Sequence, residues 1–341
     1  MKHLIRFKTF RALRVVALTA VLAGVLAAPG QASHTPKFKT PTLQYGELTI
    51  TGTNASDKLA LRLKAADPAT LQIDVGDDGS ANFSVARSDV TKITVRAKGG
   101  NDLVRIDESN GAFTDAIPTT IDGGNGNDTI AGGKGVETLL GGRGNDSIDG
   151  NGGNDRALLG PGNDTFIWDP GDGSDTVEGQ TGTDTMVFNG ANVAEQVTLS
   201  ANGNRLKFFR VQANITMDTA GVERVDFNAL GGADLVTVND LTGTDVNRVD
   251  VDLAGAIGGG AGDGQADRVI VNGTNGNDAI DVSGDAQAVK VSGLAATTEI
   301  LHSEVTNDRL DVNTLPGTDT VGSAGLGAGA IQFFLNGARA L

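Results

Sequence analysis

The stretch that decides the fold is GGNGNDTIA-GGKGVETLL-GGRGNDSID-GNGGNDRAL-LGPGNDTFI-WD-PGDGSDTVE-GQTGTDTMV, residues 123–187. It divides into seven lines of nine residues, with Trp168 and Asp169 as a two-residue insertion after the fifth line. Nearly every line opens with a glycine-rich loop and carries Asp at its sixth position. Repetition of this kind is typical of a solenoid, in which each repeat packs only on its neighbours.

Each line predicts a tight loop followed by a short strand. Glycine accepts positive φ angles, so the backbone can turn sharply and point its carbonyl groups inward. The last three residues of a line have an apolar residue in the middle, which predicts a three-residue strand with that side chain buried. Two lines then make one turn, and lines 18 residues apart stack. The predicted buried residues are Ile130, Leu139, Ile148, Ala157, Phe166, Val177 and Met186.

Stacking brings the acidic residues into two rows. The first row holds Asp128, Asp146, Asp164 and Asp184, and the second row holds Glu137, Asp155 and Asp175. Stacked carboxylates repel one another, so the arrangement needs a cation. Carboxylate and carbonyl oxygens suit Ca²⁺, which takes 6–8 oxygen ligands, whereas Zn²⁺ prefers His or Cys. We therefore predict calcium sites in both rows, with a weaker site at Glu137 because its line lacks Asn.

The spacing of the acidic residues is regular in only part of each row. Neighbours in a row stand 18 residues apart before the insertion and 20 residues apart across it. The register of the pairs that span the insertion, Asp155 with Asp175 and Asp164 with Asp184, therefore stays open. Without calcium, carboxylate repulsion and the thin apolar row predict an unfolded roll, so we expect folding to depend on calcium.

The array resembles the hemolysin-type calcium-binding repeat, the repeats-in-toxin β-roll, over about a fifth of the chain. The resemblance implies an all-β fold, a right-handed parallel β-roll or β-solenoid. It also implies calcium ligation by the acidic side chains of both rows and by backbone carbonyls of the loops. The glycines whose carbonyls it implicates are Gly124, Gly126, Gly142, Gly144, Gly153 and Gly162.

The segments on both sides of the repeats resemble one another. GTNASDKLALRL (52–63), FNGANVAEQVTLS (188–200) and GTNGNDAIDVSG (273–284) are each followed by an alternating strand and a Gly-Asp turn. Alternation with period two predicts strands, and helical spacing is not evident. We interpret these blocks as solenoid-like β modules that cover the ends of the roll. Their aspartates are interpreted as turn residues, with calcium ligation as the alternative: Asp57, Asp102, Asp234, Asp278 and Asp319.

These patterns divide the chain into four parts. Residues 1–32 are a predicted signal peptide, 33–122 an N-terminal β module, 123–187 the calcium-binding roll, and 188–341 C-terminal β modules in two degenerate copies. The signal peptide is predicted from a basic region without acids, an apolar run over residues 15–28 and small residues at 30–32. Its basic residues are Lys2, Arg6, Lys8, Arg11 and Arg14.

Export and charge together limit the partners of the chain. A cleaved signal predicts a secreted, extracellular protein without a membrane span. Cleavage would remove five of 27 basic residues and none of 42 acidic ones, which takes the net charge from −15 to −20. Such a charge disfavours nucleic acid and anionic lipid as partners. The chain has no Cys, so calcium rather than a disulfide is the expected stabiliser.

The sequence lacks the signatures of the enzymes that would be its nearest relatives. It has three His, no H-E-x-x-H and no G-x-S-x-G. We therefore predict no enzyme, but a structural or interaction protein of the cell exterior that contacts surface or matrix polysaccharide or protein. The alternative is a polysaccharide lyase or epimerase on a β-helix. It would use the basic cluster RLKFFR, residues 205–210, which can also be an ordinary strand.

Overall fold

A computed structural model describes residues 38–340. The predicted signal peptide lies outside the described residues. Within residues 38–340 the chain forms 29 strands and two short 3-10 turns, Arg87–Asp89 and Gln212–Asn214, and no α-helix. That same part of the chain therefore contains no helix long and apolar enough to cross a membrane.

The strands, numbered in chain order, form two long sheets. The first sheet contains, in spatial order, β1 (Thr42–Gln44), β2 (Glu47–Thr51), β6 (Lys92–Gly99), β8 (Thr119–Asn125), β10 (Glu137–Arg143), β12 (Arg156–Gly162), β14 (Thr176–Gly182), β18 (Ile215–Ala220), β17 (Arg205–Arg210), β16 (Gln196–Asn202), β20 (Leu235–Val238), β22 (Arg268–Asn272), β26 (Arg309–Asn313), β28 (Gln332–Leu335) and β29 (Ala338–Arg339). The second sheet contains β27 (Thr320–Leu326), β23 (Ala279–Gly284), β24 (Ala288–Ser292), β25 (Thr297–Leu301), β21 (Arg248–Asp252), β19 (Arg224–Asn228), β15 (Thr185–Asn189), β13 (Thr165–Trp168), β11 (Ser147–Asp149), β9 (Thr129–Ala131), β7 (Leu103–Asp107), β3 (Lys58–Lys64), β4 (Asp67–Val75) and β5 (Phe83–Ala86).

In the repeat segment the chain alternates between the two sheets, one strand in each. Strands of the same sheet pair in parallel, so Thr138 of β10 lies between Thr120 of β8 and Arg156 of β12. In the second sheet Ile148 of β11 pairs with Ile130 in the same way. This arrangement confirms the predicted all-β roll.

The predicted apolar row fills the space between the sheets. Its seven side chains are all buried, none more than 1 % exposed. The predicted three-residue strand is right for β9 and β11 of the second sheet. It is wrong for β10 of the first sheet, which has seven residues. The reason is that the loop glycines continue the ladder there, with Gly142 pairing Gly124.

The two-residue insertion leaves the register of the roll intact. Trp168 is buried at the end of β13 and its Nε1 donates a hydrogen bond to the Gly173 carbonyl oxygen at 2.8 Å. Beyond the insertion Thr176 pairs with Arg156. The extra residues therefore lengthen one loop without shifting the stacked lines.

The flanking strands belong to the same two sheets. Each of the three similar flank blocks contains the first strand of an antiparallel three-stranded meander: β3–β4–β5, β16–β17–β18 and β23–β24–β25. In the second meander the last strand, β18, pairs in parallel with β14 of the preceding turn, and the first strand, β16, pairs with β20 of the following turn. In the third meander β25 pairs with β21 and β23 with β27 in the same way. The division of the chain into domains stays a prediction. β8 and β15 run across its boundaries at 122 and 187, so the roll and its flanks share continuous strands there.

Candidate metal centre

The acidic residues of the first row form a hydrogen-bonded ladder. The backbone N–H of Asp128 donates to Asp146 Oδ1 at 2.7 Å, and the N–H of Asp146 donates to Asp164 Oδ1 at 2.7 Å. Asp164 N–H donates in turn to Asp184 Oδ1 at 2.8 Å. Each carboxylate thus lies over the loop of the preceding turn. Asp164 and Asp184, whose register across the insertion the sequence left undecided, also stack.

The second row repeats this geometry on the other edge. Glu137 N–H donates to Asp155 Oδ1 at 2.7 Å, and Asp155 N–H donates to Asp175 Oδ1 at 2.8 Å. A second ladder of asparagines runs beside the first row in the opposite direction, since Asn145 N–H donates to Asn127 Oδ1 at 2.9 Å. Loops of the first row are therefore held to the turn on either side.

The second carboxylate oxygen of every residue in both rows is buried and has no hydrogen-bond partner. These atoms are Asp128 Oδ2, Asp146 Oδ2, Asp164 Oδ2, Asp184 Oδ2, Glu137 Oε1, Asp155 Oδ2 and Asp175 Oδ2. A buried carboxylate oxygen without a partner is costly, because it has lost its hydration. A row of such oxygens is what a hard cation satisfies.

The first glycine of a loop leaves room beside this oxygen. A methyl group on Gly123 would overlap both Asp128 Oδ2 and the carbonyl oxygen of Gly141 in the next turn. Gly141 has the same relation to Asp146 Oδ2 and to the next carbonyl oxygen. A carboxylate and a carbonyl oxygen thus converge, which is the donor set of calcium. Among residues 38–340 no three Asp, Glu, His or Cys side chains are grouped to hold a metal ion by themselves.

The six glycines implicated as carbonyl ligands share a conformation. All have positive φ, from 103° at Gly124 to 159° at Gly162. A methyl group on Gly144 would overlap the Gly126 carbonyl oxygen of the preceding turn. The loops therefore stack with backbone carbonyls in close contact, which only glycine permits. Calcium ligation by these carbonyls stays a prediction.

The electrostatics of both rows favour a bound positive charge. Burial raises the pKa of Asp146 to about 6 and that of Asp184 to about 7. In the second row burial, reinforced by neighbouring carboxyls, raises the pKa of Asp155 to about 9 and that of Asp175 to about 7. Hydrogen bonds from backbone N–H groups oppose these shifts without cancelling them. Near neutral pH several of these groups therefore need a proton or a cation.

One flank aspartate, Asp102, which the sequence suggested as a turn residue with calcium ligation as the alternative, continues the first row. Asp102 accepts the N–H of Asp57 at 2.7 Å, and its own N–H donates to Asp128 Oδ1 at 2.8 Å. Its Oδ2 is buried and unpartnered, like those of the repeats. The signal was GGND at residues 99–102, one turn before the first complete line. Asp102 therefore shares the geometry of the repeat aspartates.

Two other flank aspartates have the geometry of turn residues. Asp57 Oδ2 accepts the N–H of Thr53 at 2.7 Å, and Asp278 Oδ2 accepts the N–H of Thr274 at 2.7 Å. Their carboxylates are satisfied by their own loops. Asp319 Oδ1 accepts the N–H of Asp278 at 2.9 Å.

The basic cluster of β17 is used within the molecule. Arg205 forms ion pairs with Asp218 and Glu178, and Arg210 is buried against Glu195. The Arg210 guanidinium also lies 5.6 Å from the centre of the Trp168 ring. The two guanidinium groups are therefore engaged by carboxylates of the chain, as expected of a structural strand.

Comparison with known proteins places the repeats in a described family. The family model of the RTX calcium-binding nonapeptide repeat matches four copies, over residues 120–136, 132–166 and 171–192. These segments make up about a fifth of the chain and contain both acidic rows. RTX nonapeptide repeats bind Ca²⁺. No curated protein matches the chain significantly.

Proposed function

We propose that the chain is a hemolysin-type calcium-binding repeat protein whose ions bind between stacked loops of residues 123–187 and switch on the folding of the roll outside the cell. The observation that carries this proposal is the row of buried, unpartnered carboxylate oxygens on each edge. One ion between two successive turns would supply the missing partner for these oxygens.

The proposed ligands follow from the ladder. Each ion takes one carboxylate from each of two successive acidic residues and completes its shell with loop carbonyls. Asp146 belongs to two pairs of the first row, whereas Glu137 belongs to one pair of the second row. Glu137 Oε2 accepts the N–H of Gly133 in its own loop at 2.8 Å, and Oε1 is left for an ion, as Oδ2 is in the aspartates, so its single pair is what sets Glu137 apart from Asp146. We therefore expect its site to be weaker.

Folding depends on the ion because the rows are self-repulsive. At an effective dielectric constant of about 20, two like charges about 4–5 Å apart cost roughly 3–4 kcal/mol. The apolar row contributes one buried side chain per line, one of which is Ala157, and Leu159 and Trp168 are the other buried apolar side chains of residues 123–187. Burial of so little apolar surface cannot offset repulsion in both rows. At the low calcium level of a cytosol the repeats would stay unfolded, and at millimolar calcium outside the cell they would fold.

The test is calcium titration of the mature chain, residues 33–341, followed by circular dichroism and calorimetry. We expect β signal to rise with calcium and several ions to bind cooperatively, because each ion orders a loop that forms half of the next site. Asp278→Asn is the matched control, since both oxygens of Asp278 already have partners in their own loop. A strong β signal that chelator leaves unchanged, or a single independent site, would refute the proposal.

We further propose a structural or interaction role at the cell exterior. It is supported by the predicted signal peptide, the excess of acidic residues and the calcium dependence argued above. The protein should bind surface material of its producing cell in calcium and be released by chelator. Turnover of an acidic glycan by the calcium-loaded, folded protein would contradict a purely structural role. The residues suggested for such turnover, Arg205 and Arg210, are paired with carboxylates.

A further inference from the structure

We infer that a separate calcium site lies outside the repeats, between the loops that precede β20 and β22, with Asp234 and Asp267 as its carboxylate ligands. The site is more than 40 residues beyond the last matched repeat. Its presence or absence is therefore independent of the function proposed for the repeats.

The loops at this place are stacked by the same hydrogen bond as in the repeats. Glu195 N–H donates to Asp234 Oδ1 at 2.7 Å, and Asp234 N–H donates to Asp267 Oδ1 at 2.8 Å. Asp267 N–H continues the series to Asp308 Oδ1 at 3.1 Å. These loops lead into the first sheet, as the loops of the second row do. The geometry of the repeat ladder thus reappears where the nonapeptide pattern is absent.

Asp234 carries the signature of the repeat aspartates. Its side chain is 3 % exposed, and its Oδ2 is buried without a hydrogen-bond partner. Asp267 is also 3 % exposed, so the pair is removed from water. Burial, with Asp267, Glu195 and Asp263 as charged neighbours, raises the pKa of Asp234 to about 8. A bound cation between the two carboxylates is therefore favoured.

Further carboxylates are held close to this pair. Asp263 Oδ2 accepts the N–H of Gly232 in the Asp234 loop at 2.8 Å. Burial raises the pKa of Asp267 to about 7, and the nearby carboxyls of Asp308, Asp263 and Glu304 add to this shift. Glu304 in turn accepts the N–H of Gly264 at 2.7 Å. The neighbouring charges that act on both buried aspartates are thus negative.

The chemistry of the pair selects a hard divalent cation. The available donors are carboxylate and carbonyl oxygens, which suit calcium, and its loose coordination tolerates the irregular loop of residues 253–267. One turn earlier the ladder needs no ion, because Arg210 already neutralises Glu195. The unsatisfied charge therefore begins at Asp234, which places the ion between that residue and Asp267.

The test is a count of calcium ions per chain in the mature protein, by equilibrium dialysis and atomic emission, at saturating calcium. We expect Asp234→Asn to lose one ion relative to the unchanged chain. Asp278→Asn is the matched control, because it removes a carboxylate at the equivalent loop position that already has its partners, and it should lose none. An unchanged count in folded Asp234→Asn would overturn the inference.

A second variant guards against a folding defect in Asp234→Asn. Asp263 is only half-buried, and Asp263→Asn removes a neighbouring charge while the carboxylates of the pair remain. We expect this substitution to lower the affinity of one calcium ion about tenfold, which is the size of effect that outer-shell partners have on a metal site. Unchanged affinity at every site would count against the inference. Loss of ions in Asp146→Asn reports on the repeats alone. The two variants therefore show separately whether the proposed repeat sites and the proposed Asp234 site bind calcium.

Discussion

Asp146→Asn separates a carboxylate that binds calcium from one that only accepts a hydrogen bond. Asparagine keeps an oxygen for the N–H of Asp128, which now donates to Asp146 Oδ1 at 2.7 Å. It removes the charge on Oδ2, the buried oxygen without a partner. The substitution should therefore have opposite consequences with and without calcium.

The structure gives the sizes of both effects. At a calcium concentration about a hundredfold above Kd, one bound ion stabilises the fold by about 3 kcal/mol, and Asp146 belongs to two pairs, so the loss approaches roughly 5 kcal/mol. Without calcium, burial raises the pKa of Asp146 from 3.8 to about 6. Holding this 3 %-exposed carboxylate ionised above that pH costs about 3 kcal/mol, which asparagine avoids.

The assay is urea unfolding followed by circular dichroism at about pH 8, in millimolar calcium and in chelator. In calcium the midpoint of Asp146→Asn should be far below that of the unchanged chain. In chelator, where the repeats of both chains are largely unfolded, the remaining β signal of Asp146→Asn should be no lower than that of the unchanged chain. Glu137→Gln, which affects a single pair, should lose about half as much in calcium. Equal destabilisation of Asp146→Asn in both media would refute the reasoning, because the carboxylate would then be only a hydrogen-bond acceptor.

Three further outcomes are expected. Burial raises the pKa of Asp184 to about 7, so the folded metal-free chain binds protons more tightly than the unfolded chain. The melting temperature in chelator should therefore rise as pH falls from about 8 to about 5. In calcium, acid should lower the melting temperature, because protons compete with the ion for the carboxylates. Gly144→Ala, with φ of 130° and a carbonyl in the way, should abolish cooperative calcium binding, whereas Gly203→Ala, with φ of 68° and open space, should cost only about 1–2 kcal/mol in a melting experiment. Arg210→Gln should destabilise the chain by about 3–5 kcal/mol equally with and without calcium, since it leaves Glu195 buried and unpaired; a calcium-dependent loss would contradict this.

The sequence predicted the roll well because its signal is local. A loop of glycines, an Asp at a fixed position and an apolar residue two places later specify one line, which is half a turn, and the buried row from Ile130 to Met186 follows from that spacing alone. The stacking of the acidic rows needed only the assumption that two lines make a turn. The prediction of strand length was wrong for β10, because glycine was interpreted only as a loop residue, whereas it also pairs in a ladder.

The flanks were harder because alternation does not encode the partner of a strand. The same period-two pattern fits a parallel solenoid strand and an antiparallel meander strand. The entry of β16 and β23 into meanders therefore could not be predicted from their residues. Asp234 was interpreted as a turn residue, with calcium ligation only as the alternative, because its Gly-Gly loop stands outside the nine-residue repeat and gives no spacing to a partner such as Asp267.

The continuity of the two sheets has a consequence for the chain when calcium is scarce. β6 and β18 lie on either side of the repeat strands in the first sheet, and each pairs with a strand of that segment, β8 and β14. If the repeats between them are unfolded, both neighbours present rows of unpaired N–H and C=O groups. Such edges accept a strand from any chain of the same kind. The order in which ions and neighbouring molecules arrive would then decide between a closed monomer and chains joined by exchanged repeats.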